Sequence, residues 1–153
     1  MSRTLAPQLP QDLYLRLSAA HRRPGRAIVV QTMDEQGWPH PALLSEFEIL
    51  AAAPDRLRLA VMRESKTAAN IRDRSRVTLA FIEPESVYYV KAEKVAEKHR
   101  EGPAALFDLA VVTVLADEVR EEETGSRLVS GLLFVAGEKA MSYFKQVFEA
   151  LKE

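Results

Sequence analysis

The chain has 153 residues, 47% hydrophobic and 28% charged, with 21 Lys and Arg against 22 Asp and Glu and no cysteine. One globular domain of this length buries about 70% of its unfolded surface and needs no covalent staple. The missing cysteine excludes disulfides, thiolate metal sites and thiol nucleophiles, and a net charge of −1 supplies no global field for nucleic acid, so any anion site must be local.

In chain order, Pro10 to Ala20 reads as a short helix opened by proline, with Leu13 and Leu17 on one side. His21 to Gly25 breaks it, and Arg22, Arg23 and Arg26 read as a loop of solvated arginines. Arg26–Met33 is β-branched and apolar, a strand. Asp34 to Gly37 is a turn, and Trp38 behind it is expected to shield a sheet edge. His40 to Ala51 follows as the second strand of a hairpin, with Glu46 and Glu48 alternating with Phe47 and Ile49 in a half-exposed pattern.

Beyond the turn at Pro54-Asp55, Arg56 to Arg63 alternates cleanly as a third strand. Ser65 to Arg74 is helical, with Ser65 placed to cap it. Arg76 to Ile82 is apolar on both faces, as a central strand would be. A turn at Glu83-Pro84-Glu85 returns the chain through Val87 to Ala96, in which Tyr88 and Tyr89 point to opposite faces. Leu106 to Val119 is the last long strand, followed by the acidic run Glu121-Glu122-Glu123 and a polar loop at Gly125. Met141, Phe144, Val147, Phe148 and Leu151 then fall at helical spacing.

The expected architecture is mainly β with flanking α: one domain over residues 1–153, with six antiparallel strands in a barrel core at 26–120 and a C-terminal helix at 137–152. Six strands hide their edges most simply by closing into a small barrel. Ala110–Ala116 and Leu132–Ala136 are too short to span a bilayer. The first residues lack the apolar region of a signal peptide, so no membrane association and a cytoplasmic location are expected. His21, His40 and His99 have no metal-ligand spacing, and no metal site is assigned.

The segment that carries chemistry is Met62 to Leu79, MRESKTAANIRDRSRVTL. A helix start bears unpaired N–H groups with partial positive charge. Two hydroxyls, the Lys66 ammonium and the Arg63 guanidinium beside it make a compact site for a phosphate dianion. The alternative is that Ser65 only caps the helix while Lys66 and Arg63 are solvated.

Ser65-Lys66-Thr67, Asn70-Ile71 and Arg76-Val77-Thr78-Leu79, set in this strand order, resemble the pyridoxamine 5′-phosphate oxidase-like FMN-binding split barrel family over about Arg26 to Val119. The resemblance implies a six-stranded split barrel and a homodimer with FMN in a cleft between subunits. It implies phosphate binding by Ser65, Lys66 and Thr67, with Val61, Met62 and Arg63 along the ribityl chain and phosphate. Leu43, Leu44 and Ser45 would lie next to the flavin ring, and Lys91 would reach the cofactor from the barrel face. Related barrels take F420 or haem in place of FMN.

The sequence departs from the family in three places. The terminal helix MSYFKQVFEALKE lacks the Arg- and His-bearing substrate motif of the true oxidases, which argues against pyridoxal phosphate synthesis. His40 stands where those oxidases tend to have Arg, and Ala92 where glycine is frequent. The resemblance implies an oxidoreductase acting on a small molecule, with no side-chain acid or base assigned. The alternative is a non-catalytic flavin-binding or sensing module.

Overall fold

The computed structural model describes residues 2–84, 86–118 and 126–153; Glu85, the run Glu121 to Glu123 and Gly125 lie outside the described residues. Among the described residues, nine strands and three α-helices follow one another as β1 (Ser2–Leu5), α1 (Gln11–Ser18), β2 (Arg26–Met33), β3 (Pro39–Ser45), β4 (Ile49–Ala53), β5 (Arg56–Met62), α2 (Lys66–Arg74), β6 (Arg76–Glu83), β7 (Ser86–Lys98), β8 (Ala104–Asp117), β9 (Leu132–Leu133) and α3 (Glu138–Lys152). The main path is β3-β2-β6-β7-β8-β5-β4, with β1 paired to β8 and β9 to β2. Every pairing is antiparallel. The sheet curls into a half-barrel.

The mainly β half-barrel matches expectation, but the strand count rises from six to nine. The second expected strand is cut in two by a 3-10 turn at Glu46–Glu48, where a capping box closes the break: Ser45 N–H and Oγ both donate to Glu48 Oε2, at 2.7 and 3.1 Å. Glu46, Phe47 and Glu48 are all buried, which corrects the half-exposed alternation. The two further strands, β1 and β9, are four and two residues long, too short for a periodic signal.

Two arginines hold this region together, one of them neutralising the buried Glu46. Arg23 donates to Glu46 Oε1 at 2.8 Å and to Glu83 Oε1 at 2.7 Å. Arg22, only 4% exposed, donates to the carbonyls of Arg16, Leu17 and Ile49, satisfying the orphan end of α1. The solvated-arginine expectation is therefore overturned for Arg22 and Arg23. Trp38 is 69% exposed and shields no edge. Tyr88 and Tyr89 do diverge, the former to Asp12 on α1 and the latter to Asp117 on β8.

The main core lies inside the curl, where Leu13 and Leu17 of α1 and Ala68 and Ile71 of α2 meet the inward residues of the strands. A second core forms where Val147, Phe148 and Leu151 of α3 cover Phe47, Ala60 and Leu106. Arg58 pins this helix, with Nε 2.6 Å from Asp108 Oδ1 and Nη1 donating to Leu151 O at 2.8 Å. The outer face of β2, β6, β7 and β8 is left open. No helix among the described residues is long and apolar enough to cross a membrane.

Candidate functional site

That outer face is built in cross-strand rows, because alternate residues of each strand point the same way. One row runs Gln31, Thr78, Lys91, Thr113. The next outward row runs Leu43, Val29, Ala80, Tyr89, Leu115 and is apolar apart from one phenol. On β8 the register slips between Thr113 and Val111, so Val112 has no partner on β7. The bulge turns Val112 outward beside Thr113, leaving it 46% exposed.

The polar row floors an open groove of about 780 Å³, walled by Met33 and Pro39 at one side and by Val112 at the other. Arg74, Arg76 and Lys91 bring three positive charges to it, against the single carboxylate of Glu93, which lies 3.6 Å from Arg76. Among the described residues no group of three or more His, Asp or Glu converges as a metal site.

Helix α2 reaches the groove along one face. Lys66, Asn70 and Arg74 are spaced four apart, so they stack in a line about 12 Å long. Asn70, 1% exposed, donates from Nδ2 to Thr32 Oγ1 at 3.0 Å and accepts from Arg74 Nη1 at 3.4 Å. One amide thus ties the helix to β2 and steadies a groove arginine. The helix starts as expected, with Ser65 Oγ accepting from Ala68 N–H at 3.1 Å. It ends at Ser75, which takes a left-handed conformation at φ 71°. The Lys66 ammonium pairs with Glu35 on the β2–β3 turn.

The structure separates the sequence-derived site residues into three groups. Lys91 lines the groove, Leu43 lies one outward row away, and Met62 is exposed at the end of β5. Leu44, Val61 and Thr67 are buried, the first two in the main core, and Ser45 is engaged in its capping box. Arg63 is held by carbonyls of the β7–β8 connection, donating to Gly102 O and Ala104 O at 2.9 Å each and to Arg100 O. Arg74 and Thr113 are not singled out from sequence, and Arg76 and Thr78 enter only through the motif Arg76-Val77-Thr78-Leu79, with no site role assigned. The signal for Arg74 was its eight-residue spacing from Lys66, and for Thr78 its outward phase relative to buried Val77 and Leu79.

The sheet order, the helix between β5 and β6 and the open outer face give the chain a split-barrel fold. Solved structures share this fold. A candidate pyridoxamine 5′-phosphate oxidase from Lactobacillus delbrueckii superposes with TM-score 0.56 at 15% identity, over 71% of this chain and 94% of that one. An F420 reductase gives 0.52 at 14% identity, over 69% and 98%. An FMN-binding protein from Syntrophomonas wolfei gives 0.51 at 13%, over 61% and 78%. At these identities the likeness is one of fold. No protein-family model matches the chain. It is, however, 30% identical over 144 residues to the uncharacterized protein YclD of Bacillus subtilis, covering 88% of each. The chain belongs to the same family as that protein.

Proposed function

We propose that the chain is a flavoprotein that holds FMN along the outer groove and acts as an oxidoreductase on a small molecule. The observation that carries this reading is the groove itself, 780 Å³ on a split-barrel sheet with Arg74, Arg76 and Lys91 beside Thr78 and Thr113. Its volume lies within the 300–1,000 Å³ typical of cofactor sites. Its donors suit a phosphate and a ribityl chain, while Met33, Pro39 and Val112 offer apolar surface to a ring.

Lys66 anchors the phosphate at the start of α2, with Ser65 and Thr67 beside it, and Arg74 continues the positive line toward the ring end. The Lys66–Glu35 pair is exposed on both sides, at 44% and 55%, so exchanging Glu35 for a phosphate costs little. Leu43, Val29, Ala80 and Leu115 form the apolar margin against which a second copy packs, giving a homodimer that covers the cofactor. When bound, FMN supplies hydride and electron transfer at its ring; the protein binds, orients and limits access of water.

F420 is the second reading, supported by the likeness to an F420 reductase and by the excess of cations over carboxylates in the groove. Haem is disfavoured because no histidine lines the groove among the described residues.

The test is an absorbance spectrum and mass analysis of the cofactor released from purified protein, followed by FMN titration of any colourless preparation. One FMN per subunit is expected, and Lys66→Glu with Thr67→Ala, confirmed folded by circular dichroism, should abolish retention. Equal retention by that variant overturns the phosphate assignment, and failure to bind FMN or F420 overturns the flavoprotein reading.

A further inference from the structure

The β2–β3 turn is complete without Glu35. Asp34 Oδ1 accepts from Gln36 N–H at 2.9 Å and from Trp38 N–H at 2.8 Å, and Asp34 N–H donates to Trp38 O at 2.9 Å. Gly37 takes the left-handed conformation the turn requires, at φ 85°. The turn therefore needs no side-chain tether, yet Glu35 reaches across to Lys66 on α2. The Lys66 contact, with a further contribution from Arg74, holds the Glu35 carboxyl below the usual carboxylate range. A carboxylate of the chain itself thus stands on the positive line of α2, at the end opposite the groove residue Arg74.

We propose that Glu35 is an internal competitor for the anion position at Lys66, occupying it in the free protein and being displaced by the phosphate of an incoming cofactor. The proposal rests on the FMN reading above and adds to it a residue that sets affinity for phosphorylated over unphosphorylated flavin. Release is cheap. Glu35 lies in the body of a turn already closed by Asp34, so only its side chain has to rotate, and its carboxylate then faces solvent. The cost of displacement is that of an exposed ion pair, which bounds the effect on binding to a few-fold. Such a competitor also discourages weakly bound monoanions, which gain less from Lys66 than a dianion does.

The test is fluorescence titration with FMN and with riboflavin, using Glu35→Gln and Glu35→Asp in the wild-type and Lys66→Met backgrounds. Aspartate keeps the charge but is one methylene too short to maintain the contact. Both variants should tighten FMN about threefold, leave riboflavin unchanged, and lose their effect once Lys66 is methionine. Tightening by glutamine alone would mean that only the net charge matters, and it overturns the competitor role. So does an effect that persists without Lys66, or wild-type affinity in both variants. If FMN does not bind at all, the flavoprotein reading fails. The same variants titrated calorimetrically with inorganic pyrophosphate then decide the competitor role alone, and absence of pyrophosphate binding overturns it as well.

Discussion

Replacing Asn70 by alanine removes a buried side chain that ties α2 to β2 beside the groove. The amide is 1% exposed, donates to Thr32 Oγ1 at 3.0 Å, and its acceptor Thr32 is itself 3% exposed. The loss has two parts: one net hydrogen bond, about 1 kcal/mol, and the desolvation of a threonine hydroxyl left buried without its partner, about 1–2 kcal/mol. The sum is about 2–3 kcal/mol. In a domain of this length each kcal/mol moves the midpoint by about 2–4 °C, so Asn70→Ala should melt roughly 4–12 °C below wild type. Thr32→Val keeps shape but strands the amide N–H, and should cost about 1–2 kcal/mol. Because the penalty in each single variant is an orphaned partner, the double variant should cost less than the sum, by about 1 kcal/mol. Urea unfolding followed by circular dichroism, run as a double-mutant cycle, measures all three. Additive losses, or an Asn70→Ala cost below about 0.5 kcal/mol, would refute the idea that this bond ties the helix to the sheet.

Two further perturbations test the frame around the site. Burial pushes the Glu48 carboxyl above the usual range, so the native state binds its proton more readily than the unfolded chain does. The stability this contributes is fully present below the unfolded value and is lost as pH rises through the folded one. Glu48→Gln retains an acceptor for both Ser45 donors, which converge on a single oxygen. It should gain in melting temperature relative to wild type between pH 4 and pH 8; a difference that does not change with pH refutes the reasoning. At Gly131 an added Cβ would lie 2.1 Å from Ile82 O, whereas at Gly137 nothing lies within 4 Å. Gly131→Ala should therefore cost about 1–3 kcal/mol and Gly137→Ala far less in thermal unfolding. Equal effects would show that the backbone at Gly131 is not seated against Ile82 of β6.

Elements with a local signal were readable from sequence. The strands at Arg26–Met33 and Arg76–Glu83, the cap at Ser65 and the C-terminal helix all follow from periodicity or one capping residue. What escaped depends on partners far along the chain. Glu46 looks half-exposed until Arg23, 23 residues away, is seen to neutralise it. The groove escaped for a similar reason. Thr78, Lys91 and Thr113 are unremarkable singly and become a site only through the register of three strands. The family resemblance names Lys91 as a cofactor contact and includes Arg76 within a motif, but it does not mark Arg74 as a groove residue.

The sheet order has a consequence for how the chain assembles. Strand β8 joins the two sides, pairing with β7 on one edge and with β5, about 50 residues earlier, on the other. Until residues 104–117 are available, the β3-β2-β6-β7 ladder and the β4–β5 hairpin are separate pieces with bare edges. The Met33–Pro39 wall of the groove exists before then, but its Val112–Thr113 side arrives with the closing strand. Formation of the groove and joining of the two parts of the sheet thus depend on slow non-local strand pairing rather than on local helix formation.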